Sequence, residues 1–168
     1  MKILGIDPGS SESGYVLWDT ETKVPIESQY VLNIFLMEGI VRDKKADVVA
    51  IERIRGYGIV AGDDTFNTCE WVGRFDLAAA ASGKQVHLIP RKDIKRHLCG
   101  NTTTNDKYIR QALIDRFGDV GTKKKPGPLY GISGHLWAAL AVCITCADTC
   151  HDEGKMIDAC KIAEEIGL

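Results

Sequence analysis

Two carboxylates of this 168-residue chain stand where buried strands are expected to end. Asp7 closes the apolar run over residues 2–7 just before a Pro-Gly turn, and Glu52 closes the run over residues 47–52 before a glycine-rich segment. A charged side chain at the end of a buried strand is costly unless water, a partner or a metal ion compensates it. If the two strands are parallel neighbours, both carboxylates emerge at one sheet edge and can share divalent cations. Two acidic strand ends that merely face water are the plain alternative.

Such a pair of carboxylates has a specific chemistry. Mg²⁺ prefers carboxylate oxygens and keeps several waters, which leaves room for a phosphate. Two such ions about 4 Å apart activate a water and stabilise the leaving oxygen of a phosphodiester. The apolar run that starts at residue 134 adds His135 and Ala138, three residues apart and hence on one helix face. For His135 alone, a helix-start histidine with a satisfied hydrogen bond is the simpler interpretation.

The elements that must position these groups follow from periodicity and turn residues. An antiparallel hairpin is followed by strands alternating with helices, which is typical of a mixed α/β sheet flanked by helices. Strands are expected at residues 2–7, 14–18, 24–32, 47–52 and 85–89. Helices are expected at residues 34–45, 65–82, 105–118, 134–149 and 155–166, within a single domain over residues 1–168. The expected N-caps are Asp64 or Thr65, Asn105 and Ser133, Gly83 is the expected stop of the long helix, and the apolar face of the first helix is Ile34, Met37, Ile40 and Val41.

Composition and charge limit the class of protein. Hydrophobic content of 45% is ordinary for a globular chain, and no apolar run is long enough to span a bilayer. The first residues do not form an export signal, so a cytoplasmic address is expected. The net charge is −2, yet residues 84–125 hold eleven basic and four acidic residues, a local charge of +7 against −9 elsewhere. Such a stretch favours a face that holds phosphates, with a chance asymmetry of the solvated surface as the alternative.

The cysteines raise a second metal hypothesis. Cys143, Cys146 and Cys150 share one helix face, Cys160 follows, and in the cytoplasm all are expected to be reduced. A zinc site that also uses His151 is conceivable, but the spacing matches no common zinc module. Small buried apolar side chains are the favoured interpretation.

Three motifs in order resemble a known family. Residues 5–9 (Gly-Ile-Asp-Pro-Gly), with Gly-Tyr at 14–15, look like the opening motif of RuvC-type Holliday-junction resolvases, the crossover junction endodeoxyribonucleases. Residues 49–52 resemble their second motif, a strand ending in glutamate. The helix over 134–142 resembles their third, where an acid or histidine is followed three positions later by aspartate and an Ala-Leu-Ala run. The resemblance covers most of the chain. It implies an RNase H-like mixed five-stranded sheet and metal-dependent phosphodiester hydrolysis, and phage-borne members often have this length.

Position by position, the resemblance implies that Asp7 and Glu52 are metal ligands and that the active form of the site holds two Mg²⁺ ions, for which Mn²⁺ can substitute. His135 is implied as a further ligand or as an acid/base aid, and cutting leaves a 5′-phosphate and a 3′-hydroxyl. The family's closing aspartate falls on Ala138, which offers no oxygen to a metal. The alanine is either an introduced disabling change or the mark of a naturally weak member. We favour the introduced change, because alanine is the usual disabling substitution and the rest of the site is present. With Ala138, at least one metal site is expected to weaken while DNA binding persists or tightens.

The DNA-facing residues are the next expectation. The segment Asn105-Asp106-Lys107 resembles the lysine-bearing segment of the family, so Lys107 is the first candidate for a phosphate contact, with Arg110 one turn further. Tyr57 and Phe66 align with the junction-facing loop and are candidates to stack on an unpaired base, although core packing is favoured for Phe66. Further phosphate candidates are Arg91, Lys92, Lys95, Arg96 and a loop with Lys123, Lys124 and Lys125.

The symmetry of the substrate predicts an oligomeric state, and the length of the chain argues against one other class of protein. A four-way junction has approximate two-fold symmetry, which suits a homodimer, with the helix over 65–82 and its alanines 78–81 as candidate contact. A sugar-kinase or actin-like ATPase would need a second lobe and a phosphate-binding glycine motif, so no nucleotide cofactor is expected. Two alternatives stay open: another RNase H-like nuclease acting on flaps or RNA hybrids, and a catalytically silent protein that binds branched DNA.

Overall fold

Seven strands and five helices make up the part of the chain that the computed structural model describes, residues 1–42, 45–56, 58 and 60–150. The strands are β1 (Lys2–Asp7), β2 (Glu12–Asp19), β3 (Val24–Leu32), β4 (Val48–Arg53), β5 (Gln85–Pro90), β6 (Gly121–Thr122) and β7 (Lys125–Pro126). The helices are α1 (Asn33–Arg42), α2 (Asp63–Ala81), α3 (Arg91–Cys99), α4 (Asp106–Phe117) and α5 (Leu136–Thr149). None of these helices is long and apolar enough to cross a membrane.

A mixed five-stranded sheet in the order β3-β2-β1-β4-β5 is the centre of the fold. Strand β1 is antiparallel to β2 and parallel to β4, and β5 continues the parallel half. Every predicted strand is present, with ends within two residues of the prediction, and the α/β class is confirmed. Ile6 lies opposite Ile51 across the parallel pair. The next residue of each strand is a carboxylate, so Asp7 and Glu52 leave the sheet side by side.

The sheet is covered on both faces. One core cluster packs between the sheet and α5, and a second packs between the sheet and the pair α1 and α2. Gly5 of β1 sits under α5, where a Cβ atom would come within 2.4 Å of both the Ala139 carbonyl oxygen and the Cys143 Sγ. Only glycine allows this close approach. The approach holds the start of α5 at the same sheet edge as the two carboxylates.

The face that α1 buries is only partly the predicted one. Ile40 is buried and Met37 packs against the core as predicted, whereas Ile34 is 43% exposed and Leu36 is buried instead. This change in the buried face of α1 follows from the first residue of the helix, Asn33, which is completely buried. Its side-chain amide donates to the Gly9 carbonyl at 2.9 Å and its amide oxygen accepts from the Ser13 hydroxyl at 2.6 Å. These bonds fix how α1 meets the β1–β2 turn.

Two predicted helix caps are wrong. Helix α2 begins after Gly62, with neither Asp64 nor Thr65 as its N-cap, and α5 begins after His135 instead of Ser133. Asn105 does occupy the N-cap position of α4, although its side chain makes no capping hydrogen bond. Gly83, in the left-handed region with φ of 73°, ends α2 as predicted.

Helix α3 was not predicted. It follows Pro90 directly, and its sequence RKDIKRHLC buries Ile94 and packs Leu98 and Cys99 against the core, an apolar face of only three residues. The lysines at 123–125 lie on the β6–β7 hairpin, which corrects the predicted loop. The helix predicted over 155–166 lies outside the described residues.

Candidate active site

Asp7 and Glu52 line a cleft of about 450 Å³ at the carboxyl ends of β1 and β4. His135 and Ala138, from the start of α5, line the same cleft. All four residues singled out for chemistry in the sequence therefore meet at one place. The remaining lining residues are Arg91, Asp106, Ile109, Gly134 and Trp137.

Glu52 is a buried carboxylate with a cationic partner. It is 7% exposed, and the Arg91 Nη1 donates to its Oε2 at 2.7 Å. Burial raises the pKa of Glu52 to about 7; the Arg91 guanidinium opposes this shift and the neighbouring Asp7 carboxylate adds to it. A group that titrates so close to neutrality exchanges a proton for a metal ion readily.

Asp7 has the same electrostatic character in a more open setting. Its side chain is 20% exposed, and burial raises its pKa to about 6, against the opposing effect of the Arg91 guanidinium. The Nδ1 atom of His135 lies 3.7 Å from the Asp7 Oδ2. The His135 ring is 73% exposed and stacks on Tyr30, with ring centroids 5.5 Å apart. This stacking holds the imidazole at the cleft while leaving it accessible to a ligand.

Ala138 lines the cleft but brings no oxygen donor to it. It is half-buried on the first turn of α5, three residues after His135, and it faces the cleft that holds both carboxylates. An aspartate at this position would direct its carboxylate toward the same space, since residues three apart share a helix face.

Arg91 and Asp106 line the cleft, although neither was predicted to belong to it. Arg91 was predicted to contact DNA, but its guanidinium lies inside the cleft and pairs with Glu52 and, at 2.8 Å, with the Asp106 Oδ1. Asp106 begins α4, is 70% exposed and was missed as a cleft residue. The only sequence signal was an acid directly before Lys107 at a helix start. The cleft therefore holds three carboxylates and one guanidinium.

Two of the other predicted DNA contacts lie on α4, the helix that begins at the cleft residue Asp106. Lys107 and Arg110 are exposed on α4; the ammonium of Lys107 lies over the Tyr108 ring, and the guanidinium of Arg110 lies 5.0 Å from the centre of the Trp137 ring, a cleft residue. Arg110 therefore stands at the rim of the cleft. Lys107 directly follows the cleft residue Asp106, but its ammonium turns to Tyr108, which does not line the cleft.

The basic residues of α3 and of the β6–β7 hairpin differ in whether they pair with a carboxylate. Lys92 is exposed, Lys95 lies 3.9 Å from Asp106, and Arg96 pairs with Asp93 at 2.8 Å. The hairpin lysines are exposed. Tyr57 lies outside the described residues.

Two expectations about α2 need correction. Phe66, for which core packing was favoured, is 60% exposed. Ala78 and Ala79 are buried in the core of this chain, so only Ala80 and Ala81 of the alanine run remain exposed for a partner.

The raised pKa of Asp7 predicts a pH-dependent stability effect. Because the folded-state pKa is about 6 and the usual value is 3.8, this carboxyl favours the folded state fully below pH 4, and that contribution is lost as pH rises through 6. We expect Asp7→Asn to raise the free energy of unfolding of the metal-free protein by about 1–3 kcal/mol at pH 8 and by little at pH 4.

Urea denaturation in EDTA at the two pH values measures this difference. Asp115→Asn is the matched control, because Asp115 is exposed and its replacement can still accept the hydrogen bond from Gln111. A stabilisation that is equal at both pH values would contradict the electrostatic explanation.

The mixed five-stranded sheet with helices on both faces, together with an Asp/Glu pair at neighbouring parallel strand ends, defines an RNase H-like α/β protein. Solved structures agree with this class. A structure of Thermus thermophilus RuvC superimposes with a TM-score of 0.66 at 21% identity, covering 88% of this chain and 93% of that one. T. thermophilus RuvC in complex with a Holliday junction substrate superimposes with a TM-score of 0.65 at 19% identity.

Curated sequences identify the family. The crossover junction endodeoxyribonuclease RuvC of Corynebacterium diphtheriae is 30% identical over 156 residues, 83% of this chain and 91% of the relative. The RuvC of Corynebacterium glutamicum is 30% identical over 142 residues, 75% of this chain but 63% of the relative, so the match leaves over a third of that protein uncovered. No protein-family model matches. The chain belongs to the RuvC family of crossover junction endodeoxyribonucleases, as the three motifs indicate.

Proposed function

We propose that this chain is built to cut four-way DNA junctions by metal-dependent phosphodiester hydrolysis, and that Ala138 weakens cutting by the chain as it stands. The observation that carries the proposal is the meeting of Asp7 and Glu52, from parallel neighbouring strands, with the His135–Ala138 face of α5 in one cleft. Family membership supports it, as does the likeness to a RuvC that was solved with a Holliday junction.

The donors in the cleft fit a divalent cation of the Mg²⁺ or Mn²⁺ type. These ions take carboxylate oxygens and keep several waters, and the open cleft of about 450 Å³ has room for both. Arg91 already brings one positive charge to Glu52, and position 138 supplies no oxygen. The donor set of this chain therefore suits one ion, and an aspartate at 138 would complete the donors for a second.

The residues in and beside the cleft then have defined roles in the reaction. Asp7 and Glu52 hold the cation once they have lost their protons, which favours binding above pH 7. A bound divalent cation stabilises charge on the phosphate and lowers the pKa of its water. His135, exposed beside Asp7, is placed to accept or give a proton. Lys107 and Arg110 hold phosphates beside the cleft, and cutting leaves a 5′-phosphate and a 3′-hydroxyl.

The partner proposals follow from the substrate. Two copies of the chain, acting as a homodimer, match the two-fold symmetry of a four-way junction and cut both strands. Each copy contributes one nuclease domain.

A second candidate function is binding of branched DNA without cutting. Two observations favour it: Ala138 removes a donor, and the Arg91–Glu52 ion pair competes with any cation for that carboxylate. Because alanine at position 138 carries no negative charge, it repels a DNA phosphate less than an aspartate would, which would strengthen such binding.

Cleavage of a labelled four-way junction and of a matched linear duplex separates the two functions. This chain and its Ala138→Asp variant are compared in Mg²⁺ and in Mn²⁺. Nicks in the junction made by the aspartate variant support the nuclease. Binding of the junction by both proteins, with no cutting by either, would replace the nuclease with the binding function.

Removal of the cations beside the cleft should weaken junction binding. We expect Lys107→Ala and Arg110→Ala each to lower the affinity for a four-way junction by about 3- to 10-fold in EDTA, and to reduce its dependence on salt. Fluorescence anisotropy over a range of salt concentrations measures both quantities.

Lys2→Ala is the matched control for this loss of charge. Lys2 is exposed at the opposite end of β1 from Asp7, about 16 Å away along the strand. An equal loss of affinity in the control would show that net charge, rather than the surface beside the cleft, governs binding.

A further inference from the structure

We propose that His87, Cys146 and Cys150 bind one zinc ion, which fastens the end of α5 to β5. This site is independent of the proposed nuclease function. Cys150 lies at the opposite end of α5 from His135, about 20 Å along the helix axis. The sequence suggested a zinc site with Cys143 and His151, and the structure points to a different set of ligands.

The three side chains converge from two elements. The imidazole nitrogen and the two Sγ atoms all lie within 4.8 Å of one another. Cys146 and Cys150 are four residues apart and share one face of α5. His87 lies on β5 two residues before Ile89, which packs in the core between the sheet and α5. Because alternate residues of a strand face the same side, His87 faces α5 as well.

Cys143 is excluded from this group by its own contacts. It is fully buried, and its Sγ lies 3.3 Å from the Val16 carbonyl and 3.6 Å from the Ile3 carbonyl, beneath the middle of the sheet. Its position is explained by the close packing of α5 on β1. His151 lies outside the described residues.

The donor set is selective for zinc over the ions of the carboxylate cleft. Thiolates and imidazoles are soft to borderline ligands, which zinc accepts in tetrahedral geometry and Mg²⁺ does not. From the usual Zn–S and Zn–N bond lengths, the ligand atoms of such a site lie about 3.6 Å apart. Contraction by about 1 Å is within the reach of side-chain rotation. Binding displaces the two thiol protons into solvent, and water takes the fourth position.

Burial also suits a structural ion. Cys146 is 2% exposed, whereas His87 and Cys150 are half-buried. The site is thus closed toward the core and open toward solvent on the side of Cys150, which provides a path of entry. The ion would join the two elements that lead to the cleft, since α5 starts beside His135 and β5 runs into Arg91.

Cobalt substitution tests this proposal with a readout that does not depend on DNA cleavage. The full chain is reduced, freed of metal and titrated with Co²⁺ and, separately, with Zn²⁺. We expect one thiolate-bound ion per chain, thiolate-to-cobalt charge-transfer absorption, tetrahedral ligand-field bands, and a zinc-dependent rise of several degrees in the unfolding temperature. Cys150→Ser and His87→Gln should each abolish the absorption; both residues are half-buried, and circular dichroism checks that the variants fold.

Two matched controls separate this site from the rest of the molecule. Cys69→Ser removes an exposed thiol on α2 and should leave the absorption unchanged. Asp7→Asn weakens the carboxylate cleft, which gives no thiolate band, and should also leave it unchanged. The proposal is overturned if the reduced chain shows no thiolate band, if the band survives both ligand variants, or if the chain forms a Cys146–Cys150 disulfide and binds no ion.

Discussion

Replacement of Ala138 with aspartate is expected to raise the rate of junction cleavage in Mg²⁺ by about 10²–10⁴-fold. The physical reason is a further carboxylate oxygen in the cleft that already holds Asp7 and Glu52, which completes the donors for a second cation. A gain of about 3–5 kcal/mol in transition-state stabilisation corresponds to that factor. Single-turnover cleavage of a labelled four-way junction measures the rate directly.

Two further substitutions test whether this gain in rate depends on the charge and on the location of the added carboxylate. Ala138→Asn adds an oxygen of similar position without charge and should recover only a small part of the rate. Ala81→Asp makes the same chemical change at the exposed end of α2 and should recover none. An Ala138→Asp variant that folds and binds junctions, yet cuts no faster than the parent chain, would contradict the assigned role of position 138.

Loss of the Glu52 charge is expected to slow junction cleavage strongly. In the Ala138→Asp background, Glu52→Gln should lower the cleavage rate by about 10³-fold or more, because the cation loses one of its anionic ligands. The amide oxygen can still accept from Arg91, so the fold should hold. Junction affinity should stay the same or rise, since a negative charge near the phosphates is removed.

Cleavage and binding must therefore be measured on the same preparation. Glu70→Gln serves as the control, because Glu70 is an exposed acid on α2 whose partner is Arg74 of the same helix. A parallel loss of cleavage and binding in Glu52→Gln would indicate a damaged fold and argue against a role confined to chemistry.

The sequence was sufficient for the acidic pair because the relevant signals are local. An apolar run that ends in one acid and is followed by a turn predicts both a buried strand and the position of its carboxylate. Asp7 and Glu52 each carry this signal, and parallel pairing then brings them together. The same reasoning places His135 and Ala138 on one helix face.

The electrostatic environment of the cleft depends on contacts that the sequence does not encode locally. Arg91 meets Glu52 across 39 positions of the chain, and it reaches Asp106 only because α3 and α4 pack together. Helix α3 itself was missed because it is only nine residues long and its apolar face consists of Ile94, Leu98 and Cys99 alone. Its basic residues were consequently assigned to a DNA surface as a group.

The cysteine cluster shows the same limit. Periodicity places Cys143, Cys146 and Cys150 on one helix face but does not say which strand lies beneath each of them. In the structure, Cys143 lies against β1 and β2, whereas the other two lie beside His87 of β5. The strand order decides which histidine is available, and that order is a property of the whole sheet.

The proposed nuclease requires that Asp7 and Glu52 together hold a divalent cation. Anomalous diffraction from crystals of this chain and of Ala138→Asp, soaked in Mn²⁺ above pH 7, tests it most directly. We expect a manganese peak between the two carboxylates in the aspartate variant, with Arg91 moved away from Glu52. A cleft without manganese at saturating concentration, in which Arg91 still pairs with Glu52, would rule out this cation site.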